Sequence, residues 1–184
     1  MADEIFKRYV FLDRDGVINH VIVRDGKPTS PQSRNEFILI DGATEAIQAF
    51  KDAGLTVIIV TNQPDIARKI LSPGDLSWMT EKILSETQAD EVVVCPHDDD
   101  DLCYCRKPKA GMLVDSAKKW NIDLTRSFVI GDNWKDVEAG KGAGCTCLLI
   151  DAEYNKDVAC HIRVKSLSEA TEIVLNYDAL RKGV

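Results

Sequence analysis

Short apolar runs alternate with amphipathic stretches throughout this chain. Tyr9 to Leu12 is a continuous apolar run of strand length, the pattern of a buried parallel strand. Residues 17–40 hold Gly26, Pro28, Ser30, Pro31 and Ser33. That is turn chemistry, with Val21-Ile22-Val23 a short flap strand before Asp25-Gly26. Apolar residues at Ala46, Ile47, Ala49 and Phe50 predict a helix over Ala43 to Ala53, with Asp41 as N-cap and Gly54 as its stop. Leu55 to Val60 reads as a second strand, Pro73 to Gln88 as a helix capped by Ser72, and Glu91 to Cys95 as a third strand. Ala110 to Trp120 reads as a helix and Ser127 to Ile130 as a fourth strand. A helix over Trp134 to Ala143 stops at Gly144, Thr146 to Ile150 is a fifth strand, and residues 166–177 form a last helix. Strands alternating with helices predict an α/β fold, a Rossmann-like three-layer sandwich with a mostly parallel central sheet. No repeat, linker or second domain interrupts the pattern.

Composition narrows the class. A chain of 184 residues suits one domain with a single core, here taken as 1–184, and 45% hydrophobic with 29% charged residues is globular composition. The net charge of −7 and the lack of a basic stripe exclude nucleic acid as the expected partner. The first residues, Met-Ala-Asp-Glu-Ile-Phe-Lys-Arg, are charged and lack a signal-peptide core. No apolar run approaches membrane-span length. Six cysteines without an export signal predict reduced thiols or metal ligands. The expectation is a cytoplasmic monomer.

Chemistry collects where the expected strands end. Asp13 and Asp15 follow the first strand two positions apart, so both can face one cleft, and Gly16 then turns the chain away. Thr61-Asn62 follow the second strand, Arg106-Lys107-Pro108 follow a cysteine-rich loop, and Gly131-Asp132 through Asp136 follow the fourth strand. Open parallel sheets bind ligands beyond these carboxyl ends. Asp13, Asp15, Asp132 and Asp136 cannot all stay ionised together without compensation. A divalent cation with oxygen-only ligands, hence magnesium, plus Lys107 would supply it. The sum is a site for a phosphoryl group.

Cys95-Pro96-His97 and Cys103-Tyr104-Cys105 add a C-x-H…C-x-C pattern. Three thiolates and an imidazole form a closed tetrahedral zinc set, which is structural. It would staple a loop, 95–105, with too few apolar residues to hold itself. The run Asp98 to Asp101 reads as a solvated acidic turn. Cys145, Cys147 and Cys160 read as ordinary thiols, and His20 and His161 have no partners in the pattern.

Taken in order, Asp13-Arg14-Asp15-Gly16, Thr61-Asn62, Lys107 and Gly131-Asp132…Asp136 resemble the four motifs of the haloacid dehalogenase-like phosphatases. The resemblance implies Asp13 as nucleophile and Asp15 as general acid and base. It implies Thr61, Asn62 and Lys107 as holders of phosphate oxygens. Asp132 would ligate magnesium with the Asp13 carboxylate and the Asp15 main-chain carbonyl, and Asp136 would support them. Cys-Pro-His…Cys-x-Cys-Arg-Lys-Pro with Gly111-Met112-Leu113 resembles the D-glycero-D-manno-heptose 1,7-bisphosphate phosphatases and the related histidinol-phosphate phosphatases. Gly-Met-Leu and Phe37…Ile40-Asp41-Gly42 look more like the heptose branch, in which Arg106 would contact the substrate. The resemblance implies a small phosphorylated sugar as substrate. Histidinol phosphate or another sugar monophosphate is the alternative. No separate cap domain is expected; the flap and the zinc loop would rim the cleft. Heptose enzymes usually have Gln-Ser-Gly-Ile-Ala-Arg-Gly where this chain has Gln63-Pro64-Asp65-Ile66-Ala67-Arg68-Lys69. An added carboxylate there would repel a second phosphate. A zinc-stapled binding protein without catalysis would show a damaged motif, and none of Asp13, Asp15, Lys107 or Asp132 is missing.

Overall fold

The computed structural model describes residues 8–182. The charged stretch read above for export signals falls almost entirely outside them. The helices and strands follow the apolar pattern closely. The strands are β1 (Tyr9–Leu12), β2 (Ile22–Arg24), β3 (Lys27–Thr29), β4 (Thr56–Asn62), β5 (Glu91–Cys95), β6 (Phe128–Gly131), β7 (Thr146–Ile150) and β8 (Ile162–Val164). The helices are α1 (Ala43–Asp52), α2 (Pro73–Thr87), α3 (Gly111–Trp120), α4 (Trp134–Ala143) and α5 (Leu167–Lys182). β5-β4-β1-β6-β7-β8 form one sheet, and every pairing in it is parallel.

Alternate residues of the central strands feed two separate cores, because successive side chains of a strand point to opposite faces. Val10, Leu12, Val57, Ile59 and Ile130 pack with Ile47 and Phe50 of α1, Met79 and Ile83 of α2 and Val174 of α5. Tyr9, Phe11, Ile58, Val60 and Val129 pack with Met112 and Leu113 of α3 and Val137 of α4. Covering both faces explains why β1 is apolar without alternation.

Three local readings change. Asp41 does not cap α1. The N-cap is Gly42, in a left-handed conformation with φ 87°, and no side chain caps the helix. β4 runs through Thr61 and Asn62, which still pair with Val94 and Cys95 of β5. A sixth strand, β8, lies beyond β7; three residues with Arg163 exposed at their centre carry too weak a pattern to be read. Ser72 does cap α2, accepting from the Asp75 N–H, and Gly144 closes α4.

Residues 17–40 leave the sheet as a flap whose tip is the β2–β3 antiparallel hairpin. The flap's base is closed by the Ile40 N–H donating to the Ile18 carbonyl and the His20 N–H to the Ile38 carbonyl. Among the described residues, no helix is long and apolar enough to cross a membrane.

Candidate active site

The carboxyl ends of β1, β4 and β6, the flap and the loop after β5 enclose a cleft of about 420 Å3. Asp13, Asp15, Thr61, Asn62, Arg106, Lys107, Asp132 and Asp136 all line it. The motif residues at the strand ends therefore meet at one place, and the four cysteine-loop residues form a separate cluster.

Lys107 stands at the centre, 3% exposed. Its ammonium donates to Asp13 Oδ1 (2.7 Å), Asp136 Oδ1 (2.6 Å) and the Val60 carbonyl (2.9 Å). Asn62 fixes it from behind. Its amide accepts from the Lys107 N–H (3.0 Å) and donates to the Lys107 carbonyl (2.9 Å). The end of β4 thus sets where the lysine emerges. Burial works against the charged lysine, but Asp13 and Asp136 outweigh it, so the ammonium stays protonated.

Carboxylate oxygens of Asp13, Asp132 and Asp136 lie within 4.8 Å of one another. Burial and the Asp136 charge push the Asp13 carboxyl well above the usual range, against the pull of Lys107. Burial, then Asp136, pushes Asp132 up to about 7. One lysine does not neutralise such a group, and an oxygen-ligand cation fits it. Asp136 also closes a capping box at α4, where Asn133 N–H donates to its Oδ2 (3.1 Å). Two glycines make room for this crowding. A Cβ on Gly131 would stand 2.3 Å from that of Asp136, and one on Gly16, whose φ is +83°, would stand 1.9 Å from Asp132 Oδ2.

Asp15 has a different environment and is not part of that cluster. Arg14, 1% exposed, grips it through Nε (3.1 Å) and a terminal nitrogen (2.9 and 3.0 Å). Asn19 (2.9 Å), Ser30 of the flap (2.9 Å) and Gln63 (2.8 Å) donate as well. Burial favours the neutral acid, yet Arg14 with the Asn19 and Ser30 donors outweighs it and holds the carboxyl below its ordinary value. Gln63 spans Asp15 and the Thr61 hydroxyl, 2.8 Å from each. Arg14, Asn19, Ser30, Gln63 and Tyr154 were not legible as site residues. Ser30, Gln63 and Tyr154 reach their carboxylates from other segments of the chain, and Arg14 and Asn19, though close to Asp15 in sequence, turn onto it only in the folded loop.

The cysteine loop brings its four expected ligands together. Cys95 Sγ is 3.1 Å from Cys105 Sγ and 3.7 Å from Cys103 Sγ, and Cys103 and Cys105 are 3.5 Å apart. His97 Nδ1 is 3.6 Å from Cys95 and 3.3 Å from Cys105. A tetrahedral ion with metal–sulfur bonds of ~2.3 Å needs sulfurs separated by roughly 3.8 Å. The cluster is close to that size. Burial pushes the Cys95 thiol up to about 12 and raises that of Cys105, so an ion is what would make those two groups thiolates.

The acidic turn beside them is not merely solvated. Asp98 takes both ends of the Arg68 guanidinium (2.6 Å each), which pulls its carboxyl down to about 2. Asp99 accepts from Arg106 Nε (2.7 Å), and Arg106 also donates to the His97 carbonyl (3.2 Å). Asp65, on the cleft wall, accepts from Gln32 of the flap (2.9 Å) and faces Arg68 (3.5 Å).

Comparison with known proteins agrees with this geometry. A family model for haloacid dehalogenase-like hydrolases matches residues 31–144. The chain belongs to the haloacid dehalogenase-like hydrolases. A D-glycero-beta-D-manno-heptose-1,7-bisphosphate 7-phosphatase of Rhodopseudomonas palustris is 40% identical over 146 residues, covering 73% of this chain and 78% of that protein. The enzyme of the same name from Bordetella bronchiseptica is 33% identical over 148 residues, covering 78% and 80%. The crystal structure of the D,D-heptose 1,7-bisphosphate phosphatase from B. bronchiseptica, complexed with magnesium and phosphate, superposes with a TM-score of 0.81 at 29% identity, covering 92% of this chain and 99% of that one. Family, relatives and fold together make this chain a phosphatase.

Proposed function

We propose that the chain is a magnesium-dependent phosphatase that removes the 7-phosphate of D-glycero-D-manno-heptose 1,7-bisphosphate, working as a single domain and a cytoplasmic monomer. The observation that carries this reading is Lys107 held between Asp13 and Asp136 on the floor of a cleft, with Asp132 within 4.8 Å of both carboxylates. The names of the relatives supply the substrate.

Asp13 is the nucleophile. Its Oδ1 is tied by Lys107 and by the Arg14 N–H (2.7 Å), which leaves the second oxygen to attack phosphorus. Lys107, Thr61 and Asn62 hold the transferred phosphoryl oxygens, and Asn62 also keeps Lys107 in place. Magnesium held by the Asp13 and Asp132 carboxylates and the Asp15 main-chain carbonyl, with Asp136 behind, would neutralise charge on the phosphoryl group as it transfers. Asp15 gives a proton to the leaving oxygen and then takes one from the water that hydrolyses the aspartyl-phosphate. The resting environment keeps Asp15 in its base form. The first step therefore needs the incoming phosphate, whose negative charge raises the proton affinity of a neighbouring carboxylate. Arg106 contacts the substrate from the zinc-loop side. Zinc bound by Cys95, His97, Cys103 and Cys105 holds that loop in place.

The test is phosphate release with magnesium from both anomers of the 1,7-bisphosphate, from heptose 1-phosphate and 7-phosphate, and from histidinol phosphate. The expected result is a preference for one bisphosphate anomer, with 7-phosphate release, and no turnover by Asp13→Asn. Weak and flat turnover across the panel would refute the heptose assignment and point to Asp65 as the residue that turns a second phosphate away. Turnover by Asp13→Asn at the wild-type rate would remove the aspartyl-phosphate mechanism.

A further inference from the structure

We propose that Tyr154 is a positioning residue for the cation site, its phenol fixing the carboxylate of Asp132. The proposal rests on the reading of Asp13 and Asp132 as magnesium ligands.

Tyr154 lies in the short turn Glu153–Asn155 that follows β7, and its ring lines the cleft while 44% exposed. Its hydroxyl donates to Asp132 Oδ2. The next residue holds the other end of the same aspartate: the Asn155 amide donates to the Asp132 carbonyl (2.7 Å) and to the Ile150 carbonyl (2.8 Å). Asn155 is itself anchored by Arg163 of β8, whose guanidinium donates to its side-chain oxygen (2.9 Å) and its carbonyl (3.0 Å). One turn, pinned to the edge of the sheet, thus grips Asp132 by main chain and side chain together. The same oxygen, Oδ2, packs against Gly16, where it fills the space a Cβ would need.

The choice of a phenol has a physical consequence. Lys107 already neutralises part of the acidic cluster, and a second fixed cation at Asp132 would compete with a bound ion. A neutral donor orients one oxygen of the carboxylate, leaves its negative charge for the metal and offers the other oxygen for ligation. Partners of this kind around a ligand commonly govern metal affinity by ten- to a hundredfold. The same contact admits an opposite role, in which the phenol stands in the ion's place. The two roles differ in sign.

The experiment is a calorimetric magnesium titration of the full chain without substrate, for wild type, Tyr154→Phe and Tyr154→Ala. Tyr154→Phe keeps the ring and therefore the packing, and thermal melts without magnesium check this. Positioning predicts magnesium binding weaker by about tenfold or more in both variants. It also predicts a smaller magnesium-induced rise in Tm. In phosphate release, it predicts a raised magnesium activation constant, with kcat recovered at high magnesium. Magnesium affinity in Tyr154→Phe that equals or exceeds that of wild type overturns the proposal while leaving the cation site standing. Wild type that binds no magnesium overturns the cation site and this proposal with it.

Discussion

Lys107 compensates two buried carboxylates at once, and its loss should cost more than activity. Lys107→Met removes the ammonium and leaves Asp13 and Asp136 beside Asp132 with no counter-charge. Breaking a buried pair from one side commonly costs ~3–5 kcal/mol. We expect urea unfolding to show a loss of that order in magnesium-free buffer, part of which added magnesium restores, with phosphatase turnover abolished at any magnesium concentration. An unchanged urea midpoint would mean that the cluster protonates to relieve itself. The residues named from the motifs line one cleft with this lysine, and Asp13, Asn62 and Asp136 bond to it directly. What the sequence could not reveal is how their neighbours are used. Gln63 follows Thr61-Asn62 directly, yet its amide is spent on Asp15 from a strand away. Ser30 reaches the same carboxylate from a flap whose composition signalled only turns.

At the scale of elements, the cysteine loop is where local chemistry replaces packing. Residues 95–107 carry exposed Leu102 and Tyr104 and little else that is apolar, so on the proposed reading a bound zinc ion, with the Arg68–Asp98 and Arg106–Asp99 pairs, holds them. Cys103→Ser should lower zinc content, read by elemental analysis of the pure protein. It should speed amide hydrogen exchange across 95–107 and cut kcat by about tenfold or more, through the placement of Arg106 and Lys107. Full zinc retention, or normal exchange after zinc loss, would refute the staple. Most helix and strand limits were legible within one or two residues, because Gly54, Pro73 and Gly144 punctuate runs whose periodicity changes at the same points, but α5 runs to Lys182, five residues past its expected end at 177. The other exceptions have local causes. Gly42 makes its turn by backbone conformation and leaves Asp41 nothing to cap, and β8 is too short for a pattern. The acidic turn looked solvated because its partners, Arg68 and Arg106, flank it from other segments of the site.

For the whole molecule, the acidic cluster ties folding to pH and to the metal. Asp132 has a folded-state pKa of about 7 against an ordinary 3.8, and Asp13 is raised as well. Between those limits the folded chain holds protons that the unfolded chain has released. Stability must then fall as pH rises through that window, since the slope follows the difference in bound protons. Asp15 is shifted the other way. Its contribution is complete above the unfolded pKa and is lost only as pH falls below it, so it does not act between pH 5.5 and 8. After dialysis against magnesium-free buffer that leaves the cysteine cluster loaded, Tm should therefore decline from pH 5.5 to 8. Magnesium binds the deprotonated group, so adding it should raise Tm at pH 8 far more than at pH 5.5. Asp132→Asn removes one titrating member, so its metal-free Tm should decline less with pH and respond less to magnesium. A metal-free Tm that is flat or rises over this range would show that the three carboxylates do not share charge as their spacing requires. If magnesium is the ion of this site, its occupancy as well as packing would set the stability of the fold at neutral pH and above.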